Sequence, residues 1–249
     1  MIELRLMSIK SEKNFQLDFS LSIVIGLHNK EKDIEKTIRS IFNNIEATNL
    51  QLIVVENGST DNSYLIAKKL KQELSKPNFD FILLESNKGL GVALKKSIDY
   101  ATNDYIYILP ADLAFGFSEL EFIAKNKIIE FDFLLGSKSH KESVVYRQFS
   151  RKVYSLCFNF LQRLILNFDF SDTQGTMILK SNLLKNKKLY CQEFLITTEI
   201  VLIAHTSKAK IQEVPVFEQE QKSRSTVKPF RDGTKMLIDL FMLRKKYVQ

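Results

Sequence analysis

Four short, mostly apolar runs, at residues 21–25, 52–55, 79–84 and 105–109, constrain this chain more than any other feature. Such runs are typical of strands buried in a covered sheet. Segments of helical period lie between them. Residues 30–46 place Ile34, Ile38, Ile41, Phe42 and Ile45 on one face. Asp61 can cap a helix running to about Leu74, and residues 90–101 form the next. Strand–helix alternation of this kind predicts an α/β fold, with a mainly parallel sheet, right-handed crossovers and flanking helices. Ligands of such sheets bind beyond the carboxyl ends of the strands. Polar residues and glycines gather at those ends, in residues 26–31, 54–61, 87–91 and 110–113.

On either side the pattern is less regular. Ile2, Leu4 and Leu6, then Phe15, Leu17 and Phe19, alternate with period two, which predicts an N-terminal strand extension over residues 1–20 with a turn at 10–14. Later strands are expected at 131–135 and 176–179, and an extended stretch at 211–217, where Pro215 excludes a helix interior. Helices are expected at 148–166 and 193–205, and a final one from Pro229 to about Lys246. In the last, Met236, Leu237, Leu240, Phe241 and Leu243 sit beside basic residues, so it is amphipathic. The expected organisation is one α/β domain over 21–221 and a basic segment over 222–249, packed on or next to it.

Charge narrows the ligand class. The net charge is +7, and residues 222–249 hold eight basic side chains against two acidic ones. A second cluster joins Lys138, Lys141, Arg147, Arg151 and Lys152 against Glu142. Basic segments interact with phosphates of nucleic acid, anionic lipid or nucleotide. No RNA or DNA recognition motif is present, so nucleic acid is not the expected partner. No apolar stretch approaches the ~18 residues of a membrane span. No secretory signal opens the chain. Two cysteines, Cys157 and Cys191, build neither a disulfide framework nor a four-thiolate site, and both are read as core packing in a reduced, cytoplasmic setting. His140 and His205 have no partner at metal-ligand spacing.

The strand-end loops carry a series of motifs: His28-Asn29-Lys30-Glu31, Val55-Glu56-Asn57-Gly58-Ser59-Thr60-Asp61, Asn87-Lys88-Gly89-Leu90-Gly91 and Pro110-Ala111-Asp112. Downstream follow Gly136-Ser137-Lys138, Ser150-Arg151, Asp172-Thr173-Gln174-Gly175, Glu199, Glu213-Val214-Pro215-Val216, Arg224 to Lys228 and Arg231-Asp232-Gly233. In this order the series resembles the family-2 glycosyltransferases of GT-A fold. Within them it is most similar to the polyprenyl-phosphate (dolichol-phosphate-type) mannosyl- and glucosyltransferases. Two departures stand out. Lys30 takes the place of Glu in the family's Tyr-Asn-Glu, and Pro110 that of the first Asp in Asp-x-Asp.

The resemblance implies an inverting hexosyltransferase. The donor would be a nucleotide-sugar of the GDP-mannose or UDP-glucose type, and the acceptor a polyprenyl phosphate. Donor binding would fall to His28, Asn29, Glu31, Glu56, Asn57, Gly58, Ser59, Lys88, Gly89, Ala111 and Asp112. Asp112 would hold Mg²⁺ or Mn²⁺, at a site weakened by Pro110. Acceptor phosphate would meet Lys138, Arg147, Arg151, Gln174, Arg224 and Lys228, with Asp112, Arg151 and Arg224 catalytic. Anchoring would use an anionic membrane surface or a membrane partner, on the cytoplasmic face. Two alternatives stay open. One is a saccharide acceptor, for which Glu199 or Asp172 would be the base; the other is a non-catalytic nucleotide-sugar-binding homologue.

Overall fold

A computed structural model describes residues 14–146, 149–218 and 229–248. The chain runs through β1 (Phe15–Leu17), β2 (Leu21–Leu27), α1 (Ile34–Asn44), β3 (Ile45–Ala47), β4 (Leu50–Glu56), α2 (Ser63–Glu73) and β5 (Phe79–Glu85). It continues through α3 (Leu90–Tyr100), β6 (Tyr105–Ile108), α4 (Ser118–Asn126), β7 (Phe133–Ser137) and α5 (Phe149–Leu166). The last elements are β8 (Met177–Lys180), a 3₁₀ turn (Ser181–Leu183), α6 (Ile196–Thr206), β9 (Ile211–Pro215) and α7 (Pro229–Tyr247).

Seven strands form the main sheet in the order β5-β4-β2-β6-β8-β7-β9. All but β8 run one way; β8 lies antiparallel between β6 and β7. The parallel sheet expected from the apolar runs is therefore present, with one reversed strand. Strand period two divides the core. Ile23, Ile25, Leu52, Val54 and Tyr107 face a layer that includes Ile34, Ile38 and Ile41 of α1, and Leu120 of α4. Val24, Ile53, Val55, Ile106 and Ile108 face the other layer, with Leu94 of α3, Ile200 of α6, and Leu240 and Leu243 of α7. Each such fully buried aliphatic side chain contributes about 1.5–3 kcal/mol.

Two elements depart from expectation. The helix expected to continue to Glu46 stops at Asn44, because Ile45 turns extended and opens β3, which pairs in parallel with β1. That pairing buries Ile45 and Phe15 together in the core. Helix α4 had no expectation at all. Its buried set is Ser118, Glu119, Leu120 and Ile123, so a fully buried acid disguises the apolar stripe.

Candidate functional site

The loops after β2 and β4 are tied to each other. Asn29, in the left-handed region at φ 51°, donates its backbone N–H to Ser59 Oγ at 3.1 Å, and its Oδ1 accepts from Thr60 N at 2.8 Å. The Lys30 amide reaches Ser63 Oγ at 2.7 Å, and the Glu31 amide reaches Asp61 Oδ2 at 3.1 Å. Glu31 in turn accepts from the Asn62 amide at 3.1 Å, and Glu56 accepts from the Ser59 amide. Burial works against the Asp61 carboxylate, but hydrogen bonds from Ser63 and Glu31 outweigh it and hold its pKa below the usual value. Asn29, Glu31, Glu56 and Ser59, all expected to touch the donor, thus first of all shape the two loops. Asn57 is buried at the floor between them, beside Gly26.

In the third loop the glycines answer to packing. A Cβ on Gly91 would lie 2.4 Å from the Cys191 carbonyl oxygen, and one on Gly89, at φ 137°, 2.6 Å from that of Gln192. The Gly91 amide donates to Gln192 O at 2.9 Å, so the start of α3 is capped by protein. Lys88 is exposed, with its Cβ beside the Gly58 turn.

The fourth loop holds the main surprise. Thr37 Oγ1 donates to Ala111 O at 2.9 Å, which fixes the 110–112 segment against α1. Asp112 is buried, and its Oδ2 accepts from Lys30 Nζ at 2.6 Å. Asp112 Oδ1 has no hydrogen-bond partner among the described residues. Lys30 was visible in the sequence only as a departure from the family pattern. Nothing in the local sequence shows that it meets Asp112, 82 residues away.

Across the sheet, β7 and the segment before β8 complete the edge. A Cβ on Gly175 would overlap the Gly136 carbonyl oxygen at 1.6 Å, so the two backbones cross where only glycine fits. Lys138 Nζ lies 3.2 Å from Asp172 Oδ2 and 2.8 Å from Gln174 O. Asp172 also accepts from the amides of Lys138 and Gln174. Beneath them Tyr107 Oη donates to Glu119 Oε2 at 2.5 Å, and Thr176 Oγ1 donates to the other oxygen of the same carboxyl. Burial raises the Glu119 pKa above the usual carboxylate value.

Five buried side-chain polar atoms lack a partner among the described residues: His28 Nδ1, Asp112 Oδ1, Ser137 Oγ, Gln162 Oε1 and Gln174 Nε2. Four of them, all but Gln162, belong to segments at the carboxyl edge of the parallel strands. Buried polar groups are nearly always satisfied, so such a concentration marks a place for a polar ligand or ordered water. Ser137 joins this edge although the sequence carried no assigned role for it.

Other expectations change. Glu199 is fully buried and accepts from the Tyr190 and Cys191 amides and from Tyr247 Oη, so it anchors a loop to α7 and is not placed as a base. Asp172 is likewise committed to Lys138. Cys157 is exposed rather than packed in the core, because it falls on the outer side of α5; Cys191 is buried as expected. Arg147, Arg224 and Lys228 lie outside the described residues, as does the side chain of Arg151.

Among the described residues, no three His, Cys, Asp or Glu side chains are grouped to hold a metal. The expected ligand, Asp112, stands two residues after Pro110 and already faces an ammonium. A divalent ion placed on the same carboxylate would repel that ammonium by about 4 kcal/mol per pair of unit charges at 4 Å, taking a surface-like dielectric. Among the described residues, one carboxylate already paired with an ammonium does not fit a resident divalent ion.

The mainly parallel sheet flanked by helices is the fold of the GT-A glycosyltransferases. Residues 22–185 match the family described as Glycosyl transferase family 2, to which the chain belongs. The dolichyl-phosphate beta-glucosyltransferase of Homo sapiens is 26% identical over 246 residues, spanning 92% of this chain and 76% of that protein. The poly-beta-1,6-N-acetyl-D-glucosamine synthase of Staphylococcus epidermidis is 30% identical over 108 residues, spanning 43% of this chain and 25% of that protein. Glucosyl-3-phosphoglycerate synthase from Mycobacterium tuberculosis, solved with Mn²⁺, UDP-glucose and phosphoglyceric acid, superposes with a TM-score of 0.63 at 15% identity. That match covers 93% of this chain and 81% of the other. The family and these relatives support the hexosyltransferase expected from the motifs.

Proposed function

We propose that this enzyme transfers a hexose, with inversion, from a nucleotide-sugar to a polyprenyl phosphate at a membrane surface. The observation that carries the proposal is the gathering of unpartnered polar atoms, from His28 to Gln174, along one sheet edge. The donor half of that edge is formed by the loops after β2, β4 and β6. His28, Asn57 and Gly58 would receive the base and ribose, and the 110–112 segment the diphosphate. UDP-glucose, present with the mycobacterial structure, and dolichyl phosphate, named for the human relative, are the guides to donor and acceptor class.

An acceptor phosphomonoester has a second pKa of about 6 and is largely deprotonated at neutral pH. Its oxygen forms the new bond to the anomeric carbon while the bond to the nucleoside diphosphate breaks, and the leaving group takes the electron pair. No proton has to be removed, so no general base is needed. That agrees with the commitment of Glu199 and Asp172 elsewhere. The requirement is cationic, for two sets of phosphates must be held without mutual repulsion. Lys138, Arg147, Arg151, Arg224 and Lys228 are the proposed acceptor cations.

The surface suits a peripheral enzyme. No helix among the described residues is long and apolar enough to cross a membrane. The packed pair α5 and α7 exposes Phe160 and Leu164 on one helix, and Ile238 and Phe241 on the other. Arg244, Lys245 and Lys246 close α7, the arrangement of a helix that lies on an anionic lipid face. Incubation with UDP-glucose or GDP-mannose and a polyprenyl phosphate in detergent tests the proposal. A labelled, acid-labile glycolipid is expected from one donor; label found only on a saccharide would replace the acceptor assignment.

A further inference from the structure

We propose that the Lys30 ammonium supplies the charge that holds the donor diphosphate, so that this chain binds its nucleotide without a divalent ion. The inference rests on the donor site proposed above and identifies its cation. Lys30 starts from a fixed point. Its amide donates to Ser63 Oγ at 2.7 Å, and its carbonyl accepts from Asp33 at 3.0 Å and from Ile34 at 2.9 Å. The side chain then crosses to Asp112, where Nζ and Oδ2 are 2.6 Å apart. An ammonium has three N–H donors. Asp112 takes one, and Asp33, at 3.9 Å, is too distant for a hydrogen bond. Among the described residues no other acceptor meets this ammonium, so two donors remain for phosphate oxygens. The side chain is 20% exposed, open enough for contact yet shielded enough for its charge to act strongly.

Charge balance points the same way. A divalent ion on two carboxylates and an ammonium on one leave the same net charge. Pro110 contributes no carboxylate, and Lys30 contributes the single positive charge that matches Asp112 alone. Asp112 then serves as a positioning residue that aims the ammonium, while its unpartnered Oδ1 remains as an acceptor for a hydroxyl of the ligand. Lys88, exposed beside the Gly58 turn, can add a second cation from the opposite loop. In the reaction the Lys30 ammonium would stabilise the negative charge that develops on the departing diphosphate.

Calorimetric titration with UDP and with GDP, in excess EDTA and again with Mn²⁺, separates the outcomes. The wild-type chain should bind one of them in EDTA, with an affinity that Mn²⁺ changes by less than about twofold. Lys30→Met should weaken binding in EDTA by about ten- to hundredfold, the worth of a charge-assisted hydrogen bond. Lys30→Arg, which keeps the charge, should retain more of the affinity, and Lys30→Glu should bind only with Mn²⁺. Thermal unfolding of each variant without nucleotide verifies that it is folded. Wild-type binding that appears only with Mn²⁺, or a folded Lys30→Met that binds normally in EDTA, overturns the inference and leaves the donor site standing. Absence of nucleotide binding in both conditions removes the donor site and the inference with it.

Discussion

Two lysine–aspartate pairs lie at the carboxyl edge of one sheet, and their surroundings differ. In Lys138–Asp172 the carboxylate takes two amides besides the ammonium, and the ammonium also reaches Gln174 O, which leaves one N–H donor for an acceptor phosphate. In Lys30–Asp112 the contact is shorter, yet Oδ1 of the acid has no partner among the described residues and the ammonium keeps two donors unused. The same chemistry serves mainly as scaffold in the first pair, with one donor left for the acceptor, and mainly as a binding device in the second. What separates them is the count of satisfied donors and acceptors, which neither residue type nor burial supplies.

The largest effect should come from breaking the scaffold pair. Asp172→Ala strands the Lys138 ammonium, of which 14% is exposed, and frees two backbone amides. Removing one partner of a buried pair costs about 3–5 kcal/mol. Urea unfolding should show that loss, and adding Lys138→Met to the same chain should recover a good part of it. If the double variant is no more stable than Asp172→Ala, the amides rather than the ammonium set the cost.

Asp112→Asn should be milder in stability and severe in function. The Lys30 ammonium still reaches solvent, so the loss should be near one charge-assisted hydrogen bond, about 1.5–3 kcal/mol. Nucleotide affinity should fall with it, because Lys30 is no longer aimed. Equal stability losses in Asp112→Asn and Asp172→Ala would erase the distinction between the two pairs.

Gln174 offers a smaller and opposite effect. Its Nε2 is buried without a partner among the described residues. Gln174→Leu removes an unsatisfied group, so stability should be unchanged or raised by up to about 1 kcal/mol. Transfer to a phosphate acceptor should drop in the same variant. A destabilised Gln174→Leu would mean that the amide is already satisfied by water.

The fold was legible in the sequence wherever period decided the element. The apolar runs that became β2, β4, β5 and β6, and the stripe of α1, were placed to within a few residues. The carboxyl edge followed from the alternation alone. Helix α4 was not legible because Glu119 occupies a core position, held by Tyr107 of β6 and by Thr176 just before β8. Nor was β3, whose three residues continue a helical stripe and turn extended only because β1 lies beside them. At the site, motif order located the loops but not the division of labour within them. Asn29 and Ser59 looked like ligand contacts and bind each other, and Glu31 binds Asp61 and Asn62; Lys30 looked like a defect and meets Asp112. Pairings over 30 to 80 residues depend on register, which a one-dimensional pattern does not carry.

The smallest expected effects lie in pH slopes, and here too the two halves of the edge differ. Asp61 laces the β2 and β4 loops and has its pKa lowered by hydrogen bonds that exceed the cost of burial. A lowered folded value means that its contribution is complete above the unfolded aspartate pKa of about 3.9 and is lost as pH falls through the folded value. Glu119, under the other half, has its pKa raised by burial, and its contribution runs the opposite way. It is complete below the unfolded glutamate pKa of about 4.3 and declines as pH rises through the folded value. Asp61→Asn should therefore flatten the acid limb of stability below about pH 4. Relative to wild type, Glu119→Gln should become progressively less costly as pH rises above that range. Stability curves of the two variants across the acid range measure both slopes. Slopes of the same sign would mean that one of these carboxyls is solvated otherwise than its neighbours imply.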